Sequence, residues 1–250
     1  MNRPEKKNAL SVEMIRELTL LLDDIADNRA DRVVVLTGAG DAFTSGADLT
    51  PGKGSKKEEE FGSGGVGTAL FGMRRLGRLI LRLHDLPKPT IAAVNGVAVG
   101  AGCNLALGCD LIVAADTARF SEIFARRGLS IDGGGSWLLP RLIGLHKAKE
   151  LAYLAEIISA EEAERFGLVN RVVPAADLSK VVADLAGRIA AQPPVQISIT
   201  KKLLNQSFSV SMAEAVEVED VGQSLAFSSR DTAEAMAAFI EKRDPHFTGE

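Results

Sequence analysis

The stretch Val94 to Asp110, VNGVAVGAGCNLALGCD, restricts this chain more than any other. The stretch follows a strand that ends at Val94 and crowds glycine and alanine around Gly100-Ala101-Gly102 before an apolar run, which predicts a strand-to-loop junction that opens a helix. Residues this small leave a peptide N–H bare beside anything that approaches, and the start of a helix adds its positive dipole end. A second junction of the same kind, TGAGDAFTSGADL, follows the strand read at Arg32 to Thr37. Two such N–H donors form an oxyanion hole, which stabilises developing charge by about 3 to 4 kcal/mol per donor. The alternative is two tight turns packed for structural reasons alone.

The rest of the chain reads as α/β. Ser11 caps a helix to Asp27 that places Met14, Leu18, Leu21, Leu22 and Ile25 on one side, with Glu13 in its first turn. Strands are expected at Arg32 to Thr37, Pro89 to Val94, Leu111 to Ala114 and Val169 to Val173, with helical segments between them. Pro51 to Gly67, PGKGSKKEEEFGSGGVG, combines a charge run with loose glycines and reads as a lid or as a plain surface loop. From Ala175 onward the pattern is nearly all helical: Leu178 to Ala191, PPVQISITKKLLNQS, Ser211 to Phe227 and Thr232 to Lys242. A run of helices after mixed α/β predicts a core with a helical appendage, which often packs on another subunit.

Several chemistries lack their residues. The dinucleotide fingerprint needs a third glycine or alanine where Phe43 and Leu105 stand, and neither a P-loop nor a G-x-S-x-G elbow occurs. His84, His146 and His246 are scattered, which argues against a histidine metal site or a Ser-His-Asp triad. A net charge of -4 argues against a generic nucleic-acid or anionic-membrane binder. The first residues lack the apolar region of a signal peptide, and no apolar run reaches membrane-spanning length. Cys103 and Cys109 read as packed thiols in a reducing interior, so the protein is expected in the cytoplasm.

The blocks NRPEKKNALS, FTSGADL, VNGVAVGAGCNLALGCDLIVAADTARF, GLSIDGGGSWLLPRLIG, SAEEAERFGLVNRVV and AAFIEKRDPHFTG resemble, in order and along nearly the whole chain, the enoyl-CoA hydratase/isomerase (crotonase) family. The resemblance implies a crotonase-like spiral of ββα units over residues 1–190. It also implies a helical C-terminal oligomerisation region over residues 191–250, in a homotrimer or a dimer of trimers. The strand that the family usually carries ahead of Asn2-Arg3-Pro4 is missing from the sequence as it begins. By the same resemblance the Ala47 and Ala101 N–H groups hold the oxygen of an acyl-CoA thioester, activating the acyl group as an enolate. Lys6 and Lys7 match the segment along the pantetheine and phosphates, with Asp48 near the adenine end. Phe239 and Lys242 match positions that reach a neighbouring subunit's CoA. No separate cofactor is implied, since coenzyme A is part of the substrate.

Hydratases of this family resemble one another in carrying two glutamates that hold a water. Here those positions are Asn104, one helical turn beyond Ala101, and Phe124, neither of which is a base. Glu122, two residues away, would serve only after a local change of register, and otherwise reads as a surface carboxylate or one lying behind the site. Asp132 is the better candidate. Family members with a carboxylate at that position alone include Δ3,Δ2-enoyl-CoA isomerases and the 1,2-epoxyphenylacetyl-CoA isomerase group. A dehalogenase branch uses an aspartate there as nucleophile, with aromatic packing that this sequence does not clearly provide. One carboxylate suffices to move a proton between two carbons of an enolate. Ile131, Phe124 and Trp137 are expected to flank Asp132, line the acyl side and raise its pKa by desolvation. Asn104 either hydrogen-bonds the acyl chain or caps packing on its helix. The leading reading is an enoyl-CoA isomerase; the alternatives are an enoyl-CoA hydratase and a non-catalytic CoA-binding scaffold.

Overall fold

A computed structural model describes residues 1–49 and 65–250. Helix α1 (Val12–Asp27) starts where Ser11 accepts a hydrogen bond from Met14 N at 3.2 Å, and buries Met14, Ile15 and Leu22. The chain then runs through β1 (Val34–Thr37), β2 (Ala42–Thr44) and α2 (Gly65–His84). The pattern repeats as β3 (Thr90–Val94), β4 (Val97–Val99) and α3 (Ala101–Leu107). It repeats again as β5 (Leu111–Ala115), β6 (Arg119–Ser121) and α4 (Gly135–Leu154). Each ββα turn adds one strand to each of two sheets, which is the spiral that the resemblance implied. Short β7 (Ile158–Ser159), α5 (Ala160–Phe166) and β8 (Arg171–Val173) complete the sheets.

The first sheet has the order β1-β3-β5-β8 and is parallel throughout. The second has the order β2-β4-β6-β7, with only the β6–β7 pair antiparallel. Helices cover the first sheet, so β3 is buried at every residue, as its apolar run Ile91 to Val94 requires. Successive turns are stitched by side-chain amides. Asn95 Nδ2 donates to the carbonyls of Gly38 and Gly40, each at 2.9 Å, and buried Asn8 donates to those of Ala39 and Ala42.

Helix α6 (Leu178–Ala190) lays Leu178 and Val182 on Ile91, Ala93, Val113 and Ala115 of the first sheet. Helices α7 (Pro194–Gln206), α8 (Met212–Phe227) and α9 (Arg230–Glu241) follow. Buried Lys201 of α7 ties this region to the sheet through Asp110 at 2.8 Å and the Lys88 carbonyl at 3.1 Å. Asp110 in turn accepts from the N–H and hydroxyl of Thr90.

The strands and helices read from the sequence all form, with ends shifted by at most two residues. The strands of the second sheet, implied only by the resemblance, are not legible in the residue pattern: they are two or three residues long, too short to show a period of their own. Gly65–Gly67, read as loop, already belong to α2. The remaining part of the expected lid or loop lies outside the described residues. Among the described residues no helix is long and apolar enough to cross a membrane.

Candidate active site

Two backbone junctions meet at the start of α3. The Gly46–Ala47 loop leaves β2 and pairs with the N-terminal segment, where Leu10 N donates to Gly46 O and Asp48 N to Leu10 O. It lies against the first turn of α3 so closely that a Cβ on Gly102 would stand 2.6 Å from Thr44 O and 3.1 Å from Gly46 N. Only glycine permits that approach. The N–H groups of Ala47 and Ala101 have no backbone partner among the described residues. Two free amide donors in loops this small suit an oxygen on which negative charge develops.

Asn104 follows one turn along α3 and is completely buried. Its Nδ2 donates to the Asp132 carbonyl at 2.9 Å and to Glu122 Oε2 at 3.3 Å. The Asp132 carbonyl also accepts from Gly135 N at 2.9 Å, closing a turn through Gly133 (φ +53°) and Gly134 (φ +80°). Asp132 Oδ1 is buried with no partner among the described residues, and burial pushes the carboxyl up to about 6. Phe124 is buried at the same junction: a Cβ on Gly100 would stand 3.6 Å from its ring. Ile131 packs on the main core.

Of the two placements expected for Glu122, the structure shows the one behind the site. Glu122 is 3 % exposed, not a surface residue. It caps the 3₁₀ turn Ile123–Arg127 with φ -87° and ψ 61°, in the turn that follows buried Ser121. Burial raises it to about 7; hydrogen bonds from Cys103 and Asn104 oppose the rise, and the Asp132 charge adds to it. The Cys103 thiol is pushed well up, first by burial and then by the Glu122 charge. Sequence reasoning underrated Glu122 because its spacing from Phe120 gives no sign of which way an irregular turn aims its side chain.

The other candidates sit further out. Lys7 is exposed and pairs with Asp41, and Lys6 is exposed beside it. Asp48 is largely buried and pairs with Arg3 at 2.9 Å. The Trp137 ring meets His84 edge-on at 5.3 Å and lies under the Arg141 guanidinium at 4.0 Å, in a groove shared with Leu204 and Phe208. Phe239, 83 % exposed, and Lys242, which caps α9, lie on the surface at the far end of the chain.

The spiral of ββα units, with the loop of Ala47 brought against Ala101 at the start of α3, is the arrangement that the resemblance implied. The family model described as enoyl-CoA hydratase/isomerase matches residues 1–250, and the chain belongs to that family. It is 38 % identical to the 1,2-epoxyphenylacetyl-CoA isomerase of Escherichia coli K12, over 100 % of this chain and 93 % of that protein. It is 36 % identical to the short-chain-enoyl-CoA hydratase of Clostridium acetobutylicum, over 97 % of this chain and 90 % of that protein. The crystal structure of an enoyl-CoA hydratase from Bacillus anthracis superposes with a TM-score of 0.92 at 33 % identity, covering 99 % of this chain and 93 % of that one.

Proposed function

We propose that this protein is an enoyl-CoA isomerase, shifting the double bond of an acyl-CoA thioester with Asp132 as the acid/base group. The thioester oxygen lies between the N–H groups of Ala47 and Ala101, which stabilise the enolate formed when Asp132 removes a proton. Asp132 then returns that proton two carbons along the same conjugated system. Coenzyme A enters as part of the substrate, with Lys6, Lys7 and Asp48 on its path. Phe239 and Lys242 serve a neighbouring subunit of a trimer or dimer of trimers. The observation that carries the reading is the half-buried Asp132 carboxyl, with Oδ1 out of contact with water and its pKa raised to about 6, tied through the Asp132 carbonyl to the helix that presents Ala101. A base for abstracting a weakly acidic carbon proton gains from that elevation, since an ordinary aspartate near 3.8 is feeble. Asn104 and Phe124 leave the two carboxylate positions of the family's hydratases without a carboxylate.

The second reading is hydration, favoured by the buried Glu122 next to Asn104, which gives the site a second carboxyl. Incubation with trans-3-hexenoyl-CoA and trans-2-hexenoyl-CoA separates the two. Isomerisation converts the 3-enoyl to the 2-enoyl thioester at unchanged mass, and Asp132→Asn lowers kcat by about 10² to 10⁴ while CoA-ester binding persists. Gain of one water on the 2-enoyl substrate, or an undiminished Asp132→Asn variant, overturns the assignment. No turnover of either thioester by the unmutated protein points to a CoA-binding scaffold.

A further inference from the structure

Glu122 is a carboxyl that the isomerase reading leaves without a task. Burying an ionisable side chain this deeply is unfavourable unless its bonds compensate, and Glu122 Oε1 has no partner among the described residues. What the residue does is visible through Asn104. The Asn104 carboxamide sits between Glu122 Oε2 and the Asp132 carbonyl, both acceptors, and presents Nδ2 to both. Rotated by half a turn, the amide would aim Oδ1 at two acceptors and lose both bonds. On its other side Asn104 abuts the glycine turn. A Cβ on Gly135 would stand 2.5 Å from Asn104 Oδ1, and one on Gly133 3.1 Å from Asn104 Cβ.

We infer that Glu122 is a positioning residue, which holds the Asn104 carboxamide in the orientation that clamps the Asp132–Gly135 turn and so fixes the Asp132 carboxyl in the site. The inference rests on the reading of Asp132 as the acid/base group. The titratable groups facing Glu122 are Cys103 from α3 and Asp132 from the turn before α4. The clamp does not depend on the charge of Glu122, because the protonated carboxyl keeps a carbonyl oxygen for Asn104.

The test compares Glu122→Ala, Glu122→Gln, Asn104→Ala and the double alanine variant with the unmutated enzyme. Two quantities are read: turnover of trans-3-hexenoyl-CoA, and the midpoint of the Asp132 carboxyl in a ¹³C NMR titration, assigned with Asp132→Asn. Glu122→Ala is expected to lower kcat about 10- to 100-fold at little changed KM, as the reacting group loses its placement. Its Asp132 midpoint moves down toward the ordinary carboxylate range as the turn opens to water. Glu122→Gln still offers a carbonyl to Asn104, so it keeps kcat within about threefold and holds the midpoint. The double variant is no worse than Asn104→Ala, since the effect passes through that residue. Should Glu122→Ala fail to fold, Glu122→Met fills the volume without offering an acceptor.

Unaltered kcat and midpoint in Glu122→Ala overturn the inference. So do a Glu122→Gln variant as damaged as Glu122→Ala, which assigns the need to the carboxyl proton, and additive losses in the double variant. If the unmutated protein does not shift the double bond, the isomerase reading falls, and the midpoints alone still decide whether Glu122 places Asp132.

Discussion

At the scale of single residues, the site holds carboxyls against water and so keeps them protonated to unusually high pH. Asp132 rises to about 6 and Glu122 to about 7, with burial the first cause in each. A base must be ionised to act, so kcat/KM for isomerisation is expected to fall tenfold per pH unit below about 6 and to level off above it. A pH profile of kcat/KM with a non-sticky substrate checks this; a break near 4 would place the base in water and exclude Asp132 as described. Folding stability moves the other way. The native state holds these protons to higher pH than the unfolded chain does, so stability is greatest below about pH 4 for this pair and declines as pH rises through 4 to 7.

Among the elements, the decisive contact joins the loop after β2 to the first turn of α3. Gly102 makes it possible, because Thr44 O and Gly46 N leave no room for a Cβ. Gly102→Ala is therefore expected to wedge the two junctions apart, lowering kcat by at least about tenfold and stability by about 1 to 3 kcal/mol. Steady-state kinetics and chemical denaturation measure the two effects. An unchanged kcat in a folded variant would mean that the spacing of Ala47 and Ala101 does not matter. The Lys201–Asp110 pair acts at the same scale, since it fixes α7 against the end of the sheet at which the central strands β3 and β5 start. Its partners are 91 residues apart in sequence, beyond what local periodicity reports.

For the whole molecule, the C-terminal helices leave several large apolar side chains exposed. Met212, Phe227, Phe239 and Ile240 are all at least 65 % exposed. Exposed apolar side chains of this size would suit the trimer or dimer of trimers proposed above. Sedimentation velocity is expected to give three or six chain masses, with Phe239→Asp and Ile240→Asp together shifting the protein toward smaller species. A monomer at micromolar concentration would remove the proposed role of Phe239 and Lys242 at a neighbour's CoA.

The sequence by itself determined the α/β alternation, the Ser11-capped first helix and the two small-residue junctions. These are local matters: Ser11 caps the residue three places on, and Gly100-Ala101-Gly102 permits a close backbone approach wherever it folds. It also supplied Asp132 as the carboxylate candidate, through the likeness of its surrounding block to a family. Only the tertiary structure decided that the two junctions touch, that the β strands form two sheets, and that Glu122 turns inward. Those outcomes depend on contacts between distant turns of the spiral, such as Asn104 meeting Asp132 and Glu122 at once. A carboxylate reads the same in sequence whether it faces water or core, and its pKa is set by the neighbours that folding brings to it.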